Sequence, residues 1–254
     1  MLTEAELDRV CVVLVRARNP SNIGAVARAM HDFGFSRLRV VNEFHAPFEG
    51  ARSAVDASEV MARAVTCASV AEAVADCTLV VGTTAVGERH LLHKLLQLAE
   101  AAPIVRRELQ RDATESDTGR VALVFGSEKT GLSNEELSHC NWLLTIPMQE
   151  HAGVRHASMN LGQAVAVCLY EVARSEAASA TDSPELAPAG DLERLAALLT
   201  ELLERTEYPR RHPGQSDAAT VRRLVLRMSL SAGDAVIWMG ILRQMVWKLD
   251  ARKE

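Results

Sequence analysis

At 254 residues, with 48% hydrophobic and 24% charged side chains, the chain has the composition of a globular protein with a sizeable aliphatic core and room for a small appendage. A net charge of −5 excludes general electrostatic affinity for nucleic acid, so any such partner must meet a local basic patch. Five cysteines without a C-x-x-C pair argue against a disulfide framework or a zinc site. They point to free thiols in a reducing cytoplasm. The amino-terminal segment has no apolar signal core, and no apolar run approaches the roughly 18 residues of a membrane span.

In chain order, Val10 to Val15 is a continuous apolar run suited to a strand buried on both faces. "NPSNIGAVARAMHDFG" then reads as a helix, with Asn19 or Ser21 able to cap it, Pro20 in its first turn and Gly34 at its end. Ile23, Val26, Ala27 and Met30 form its buried stripe, which leaves Arg28 facing away from its own core. "RLRVVN" reads as a strand, the alanine-rich segment 58–77 as a helix, and "TLVVGTTA" as a strand running into polar residues. After a loop and a helix, "RVALVFG" and "WLLTIPM" are two more strands, separated by the helix of "SNEELSHC". "ASMNLGQAVAVCLYEVARSEAA" is a long helix, apolar over most of its first turns, with Ser158 as N-cap and Asn160 inside the first turn. Such a helix lies at the centre of a domain or at a subunit interface. The alternation predicts an α/β fold with a mainly parallel sheet over residues 1–174. A linker is expected over 175–190 and a helical extension over 191–254, opening with Asp191 as N-cap. Two further helices, 219–230 and 234–249, follow the basic break "EYPRRHPGQSD".

Three strands end in polar or glycine-containing loops, at 80–85, 125–131 and 145–153. Ligands of open α/β sheets bind where such loops converge, beyond the carboxyl ends of the strands. "FGSEKTGLS" outlines a P-loop but has Leu132 where the phosphate-binding lysine would follow Gly131, so a nucleotide hydrolase is disfavoured. No G-x-G-x-x-G, H-E-x-x-H or G-x-S-x-G occurs, and Asp32-Phe33-Gly34 has no other kinase element around it. Polar residues at awkward places remain: Asn22 and Arg28 on the first helix, Glu128 between two glycines, and Ser158 and Asn160 opening an apolar helix. Each has a plain structural role available, as solvated or capping residue.

"NIGAVARAM", "LVFGSEKTGLSNEEL" and "IPM…ASMNLGQAVAV" resemble, in order, the three motifs of the SPOUT RNA 2′-O-methyltransferases of the TrmH type, a likeness spanning residues 10–173. The tail resembles the carboxyl-terminal extension of those members that methylate cytidine or uridine riboses in tRNA, at position 32 of the anticodon loop. The resemblance implies an α/β knot, a homodimer with sites completed at the interface, and S-adenosyl-L-methionine as cofactor. It implies that Arg28 acts on the ribose hydroxyl, with Asn22, Glu128, Ser158 and Asn160 around it. Cofactor contacts are expected from Thr83, Thr84, Ala85, Gly126, Gly131, Ile146, Ala157, Ser158 and Met159. Where tRNA-specific members carry a short Pro-Glu-Tyr segment, this chain has the longer "MQEHAGVRHA". An rRNA or other tRNA site, or a non-catalytic RNA-binding paralogue, stays open as an alternative. Residues 88–94 and 208–214 are candidate RNA contacts through phosphates.

Overall fold

The computed structural model describes residues 2–41, 58–85, 91–111, 119–149, 159–176 and 186–251. Among them, seven strands form one parallel sheet in the order β3-β2-β1-β6-β4-β7-β5. The strands are β1 (Val10–Val15), β2 (Arg37–Val41), β3 (Val65–Cys67), β4 (Cys77–Thr83), β5 (Leu95–Gln97), β6 (Arg120–Phe125) and β7 (Trp142–Thr145). All six residues of β1 are buried, as a strand covered on both faces requires. The two-residue period sends Val10, Val12 and Leu14 to one face and Cys11, Val13 and Val15 to the other, each into its own hydrophobic cluster.

The first cluster lies under α2 (Pro20–Asp32) and α7 (Leu161–Arg174), with α5 (Leu98–Leu109) beside them. Asn19 caps α2 by accepting from Ser21 N, Pro20 opens it, and Gly34 leaves it at φ +80, a conformation that favours glycine. Against the second cluster pack α4 (Val70–Val74) and the short α6 (Asn134–Leu137). The five cysteines are free thiols, and all are buried. None of the described helices is long and apolar enough to cross a membrane.

Three expectations need correction. Segment 58–77 is not one helix: α3 (Ser58–Ala62), β3 and α4 divide it before β4 begins. Val65, Thr66 and Cys67 pair in parallel with Arg39, Val40 and Val41, and Ser69 accepts from Glu72 N to start the next helix. Edge pairing by β-branched residues there overrides the helical propensity of the surrounding alanines. Asn160 is itself the N-cap of α7, accepting from Gly162 N, so it is not a residue of the first turn. Finally, α8 (Ala189–Arg205) starts two residues before Asp191, which sits in the first turn and pairs with Arg194. Short elements that were not anticipated include α1 (Glu4–Asp8), opened by a Thr3–Glu6 capping box, the edge strand β5, and the one-turn helix Tyr208–Arg211 inside the basic break.

The tail forms α8, α9 (Tyr208–Arg211), α10 (Ala218–Arg227) and α11 (Ala232–Asp250); α8, α10 and α11 share a third hydrophobic cluster around Leu195, Val225 and Met239, and α9 has no buried residue. It is fastened to the sheet domain by polar contacts. Gly190 N donates to Ala75 O at 2.9 Å. Arg222 forks onto Glu193 at 2.8 and 2.9 Å and reaches across to Glu135 at 3.0 Å and Ser138 Oγ at 2.6 Å.

Burial pulls the Glu193 carboxyl upward, but His139 and Arg222 outweigh it and hold the pKa down, to about 2. Asp76 is likewise held at about 2, by Arg39 and Arg120 against burial. A depressed folded-state pKa contributes stability above the unfolded-state value of about 4 and loses it as pH falls towards the folded one. The urea midpoint is therefore expected to hold down to about pH 5 and to fall between about pH 4 and 2. In Glu193→Gln the acid-sensitive step should shrink, and an unchanged pH profile would argue against this assignment.

Candidate active site

The loops expected to hold a ligand follow β4, β6 and β7, which are neighbours in the sheet, so Thr83 to Ala85, Gly126 and Ile146 gather at one end of it. Much of that wall is pinned backbone. Thr83 Oγ1 donates to Val124 O at 2.9 Å, Thr84 N donates to Leu144 O at 3.0 Å, and Thr84 Oγ1 donates to Ala85 O at 3.0 Å. Gly126 has no space for a side chain: a Cβ there would lie 2.3 Å from both the Gly131 carbonyl carbon and Leu132 N. The loop closes on itself through Gly131 N donating to Ser127 O, with Gly131 at φ +65. Its open main chain suits a flat, uncharged ligand approached by backbone groups. Met159 is half-buried near the start of α7, whereas Ala157 and Ser158 lie outside the described residues.

Beside this wall, three expected residues are joined in one hydrogen-bonded chain. Asn22 Nδ2 donates to Glu128 Oε1 at 2.8 Å, and Asn160 Nδ2 donates to Asn22 Oδ1 at 3.0 Å. Asn160 Oδ1 in turn accepts from Gly162 N, so the cap of α7 fixes the rotamer that starts the chain. Gly162 is needed here because α2 and α7 cross closely, and a Cβ would meet that of Ala25 at 2.6 Å. The capping role open to Glu128 is already filled: Ser133 and Glu136 make a reciprocal capping box at the start of α6. Glu128 is thus left to the network.

Arg28 is not drawn into this cluster. It is exposed on the outer side of α2 and makes no hydrogen bond or ion pair with the described residues.

A residue not singled out by sequence reasoning is Arg16. It has φ 55, a left-handed conformation that costs a non-glycine residue about 1–2 kcal/mol. Its side chain forks onto Glu136 at 2.6 and 2.9 Å and donates to Gly131 O at 3.1 Å. The neighbouring residue Glu135 faces Arg222 of the tail. One short helix, directly after the glycine loop, is therefore gripped by an arginine on either side. The S-x-x-E box was visible in the sequence, but nothing local announced the partner 120 residues away. Between the end of β1 and the glycine loop lies a cleft of about 330 Å³, lined by Arg16, Arg18, Asn22, Glu128, Lys129 and other polar residues.

Comparison with known proteins agrees with the three-motif resemblance. The SpoU rRNA Methylase family matches residues 9–170. A relative named tRNA (cytidine/uridine-2′-O-)-methyltransferase TrmJ, from Yersinia enterocolitica serotype O:8 / biotype 1B, is 35% identical over 246 residues, covering 93% of this chain and 91% of its own. The protein of the same name from Pectobacterium atrosepticum is 36% identical, covering 93% of this chain and 96% of its own. Among solved structures, TrmJ from Z. mobilis ZM4 superposes with a TM-score of 0.75 at 28% identity, covering 92% of this chain and 98% of that one. A methylase family protein from Neisseria gonorrhoeae gives 0.61 at 28% identity, over 76% and 94%. With the sheet, the glycine loop and the joined polar residues all inside the matched region, the chain belongs to the SpoU rRNA methylase family.

Proposed function

We propose that the protein methylates a ribose 2′-hydroxyl of tRNA, at the pyrimidine of position 32 in the anticodon loop, with S-adenosyl-L-methionine as donor. The observation that carries this reading is the hydrogen-bonded chain Glu128–Asn22–Asn160, assembled from three separate motifs beside the backbone-rich loops. The names of the relatives support tRNA and the pyrimidine. Loops 83–85, 126–131 and 146–159, the last with 150–158 outside the described residues, would hold the cofactor largely through main-chain groups, and the fit is favoured by the tight backbone closure that Gly126 permits against Gly131 and Leu132. When bound, that cofactor supplies an electrophilic methyl group on a sulfonium and leaves as a neutral thioether.

A ribose hydroxyl is a weak nucleophile, so the site must hold it in line and help its proton leave. Asn22 and Asn160, with their amides fixed by Glu128 and Gly162, set where a hydroxyl can bond. Arg28 polarises the hydroxyl and grips an adjacent phosphate. A guanidinium stays protonated at neutral pH, so the proton goes to a phosphate oxygen or to water.

Two copies complete the sites. Arg28 faces outward from α2, and α7 beside it keeps Tyr170 exposed and Ala164, Ala166 and Val167 only partly covered. A second copy seated on that surface would bring Arg28 of one chain to the network of the other. The trefoil knot of the SPOUT fold is part of this reading and is consistent with the interleaved order β1-β6-β4-β7. The buried free thiols fit a cytoplasmic enzyme. Phosphate contacts by residues 88–94, of which 88–90 lie outside the described residues, and by 208–214 remain part of the proposal.

Mapping of ribose methylation in RNA from a strain lacking the protein tests the reading. The mark at tRNA position 32 should vanish and return with the wild-type gene; persistence there, or loss from rRNA instead, would contradict the assignment.

The Arg16–Glu136 fork gives a separate expectation. Burial raises the Glu136 pKa, but Arg16 and Ser133 more than compensate and keep it lowered. Glu136→Gln keeps a residue the capping box accepts and removes the charge that holds Arg16. Cofactor affinity by calorimetry should weaken about three- to tenfold, while α6 stays folded, as expected for roughly 1 kcal/mol of a charged hydrogen bond. Unaltered affinity would show that the fork does not position the loop.

A further inference from the structure

The cleft between the end of β1 and the glycine loop lies next to the proposed cofactor wall and is separate from it. The wall is built on β6, β4 and β7, whereas the cleft is built on β1 and β6, and the two share only the 126–131 loop. Among the described residues, three cations line the cleft: Arg16, Arg18 and Lys129. Their tasks differ. Arg16 is committed to Glu136 and to the Gly131 carbonyl, so it shapes the cleft from below. Lys129 is exposed on the opposite wall, and its ammonium has no hydrogen-bond partner among the described residues. Beside it stand the hydroxyls of Ser127 and Thr130, while Arg18 comes from the β1–α2 connection. Among the described residues, the one carboxylate lining the cleft, Glu128, is bonded by the Asn22 amide.

We infer that this cleft binds a phosphodiester of the RNA substrate, with Lys129 and Arg18 as its charged hands and Ser127 and Thr130 as hydroxyl donors. This rests on the proposed RNA methylation and deepens it. A chain with net charge −5 needs a local basic surface to meet RNA, and here that surface adjoins the residues that would handle the ribose. The bound phosphate is therefore one flanking the methylated nucleotide. It fixes that nucleotide's register without reading its base. A lysine also explains itself at this place: a compact, flexible charge tolerates the varied backbone of an unpaired loop.

The test uses the full-length protein with tRNA and S-adenosylmethionine at several salt concentrations. Lys129→Glu should raise KM for tRNA about tenfold or more, with cofactor affinity within about twofold of wild type. For Lys129→Ala, the slope of log affinity against log salt should become shallower by about 0.7, the value for one single-stranded phosphate contact. Lys129→Arg should restore both, and Arg18→Ala should lower the slope in the same way. Unchanged KM and slope, in preparations where wild type methylates tRNA, would overturn the phosphate site. So would a loss confined to cofactor affinity, since the lysine would then belong to the other wall. Failure of wild type to methylate any RNA would instead overturn the reading on which the inference stands.

Discussion

Gly126→Ala is expected to abolish cofactor binding and to lower kcat/KM more than about 100-fold, a loss of at least about 3 kcal/mol of transition-state stabilisation. The added methyl has nowhere to go. Its nearest neighbours would be backbone atoms, the Gly131 carbonyl carbon and Leu132 N, both at 2.3 Å. Backbone cannot rotate aside as the end of a side chain can, so the loop must open. Opening it breaks the Gly131 N to Ser127 O bond and moves the carbonyl that Arg16 holds. The sheet below is buried by its own clusters and should remain, with a stability cost of about 1–3 kcal/mol as for other overpacked sites. Calorimetric titration with S-adenosylmethionine, set beside a thermal melt, separates the two effects. Wild-type affinity in Gly126→Ala would remove this loop from the cofactor site.

Arg28→Ala should act in the opposite pattern. Its side chain is exposed and makes no bond with the described residues, so folding and cofactor affinity should be unchanged. The rate should nevertheless fall about 10²- to 10³-fold, the usual consequence of removing one donor aimed at developing charge. Arg28→Lys should recover only part, because an ammonium cannot present the forked donors of a guanidinium. If Arg28 polarises the hydroxyl without titrating, the pH–rate profile of Arg28→Lys should keep the wild-type shape. A new inflection in that profile would favour arginine as the base. Should Arg28 serve the partner's site, mixing inactive Arg28→Ala with inactive Asn22→Ala chains should restore up to about a quarter of the activity by pairing complementary defects.

Several parts of this arrangement could be read directly from residues. The apolar run at 10–15, the strand-end loops and the helix opening with Asn19 and Pro20 each follow from local chemistry, and each is present. The polar positions Asn22, Glu128 and Asn160 were marked as candidates although each had a plain structural role available. The structure sharpens that by giving the capping role near Glu128 to Ser133. Other features depend on distant partners and carry no local signal. Val65 to Cys67 become a strand only because β2 offers an edge, and Arg16 acquires a role only when Glu136 folds beside it. The helix start was misplaced by two positions, Ser158 for Asn160: Asn160 both caps α7 and enters the network, two tasks that sequence spacing treats as alternatives. The tail's attachment through Arg222 was equally silent, since its partners Glu193, Glu135 and Ser138 come from two distant helices.

The most direct test of the central claim is transfer of a labelled methyl group from S-adenosylmethionine to unmodified tRNA by the purified protein. A methylated 2′-hydroxyl cannot assist alkaline cleavage of its own phosphodiester, so the label should appear in alkali-resistant dinucleotides and vanish in Arg28→Ala. Label released as mononucleotides would place the methyl on a base, and the absence of label despite binding of both ligands would make the protein an RNA binder without turnover; either result would contradict the account.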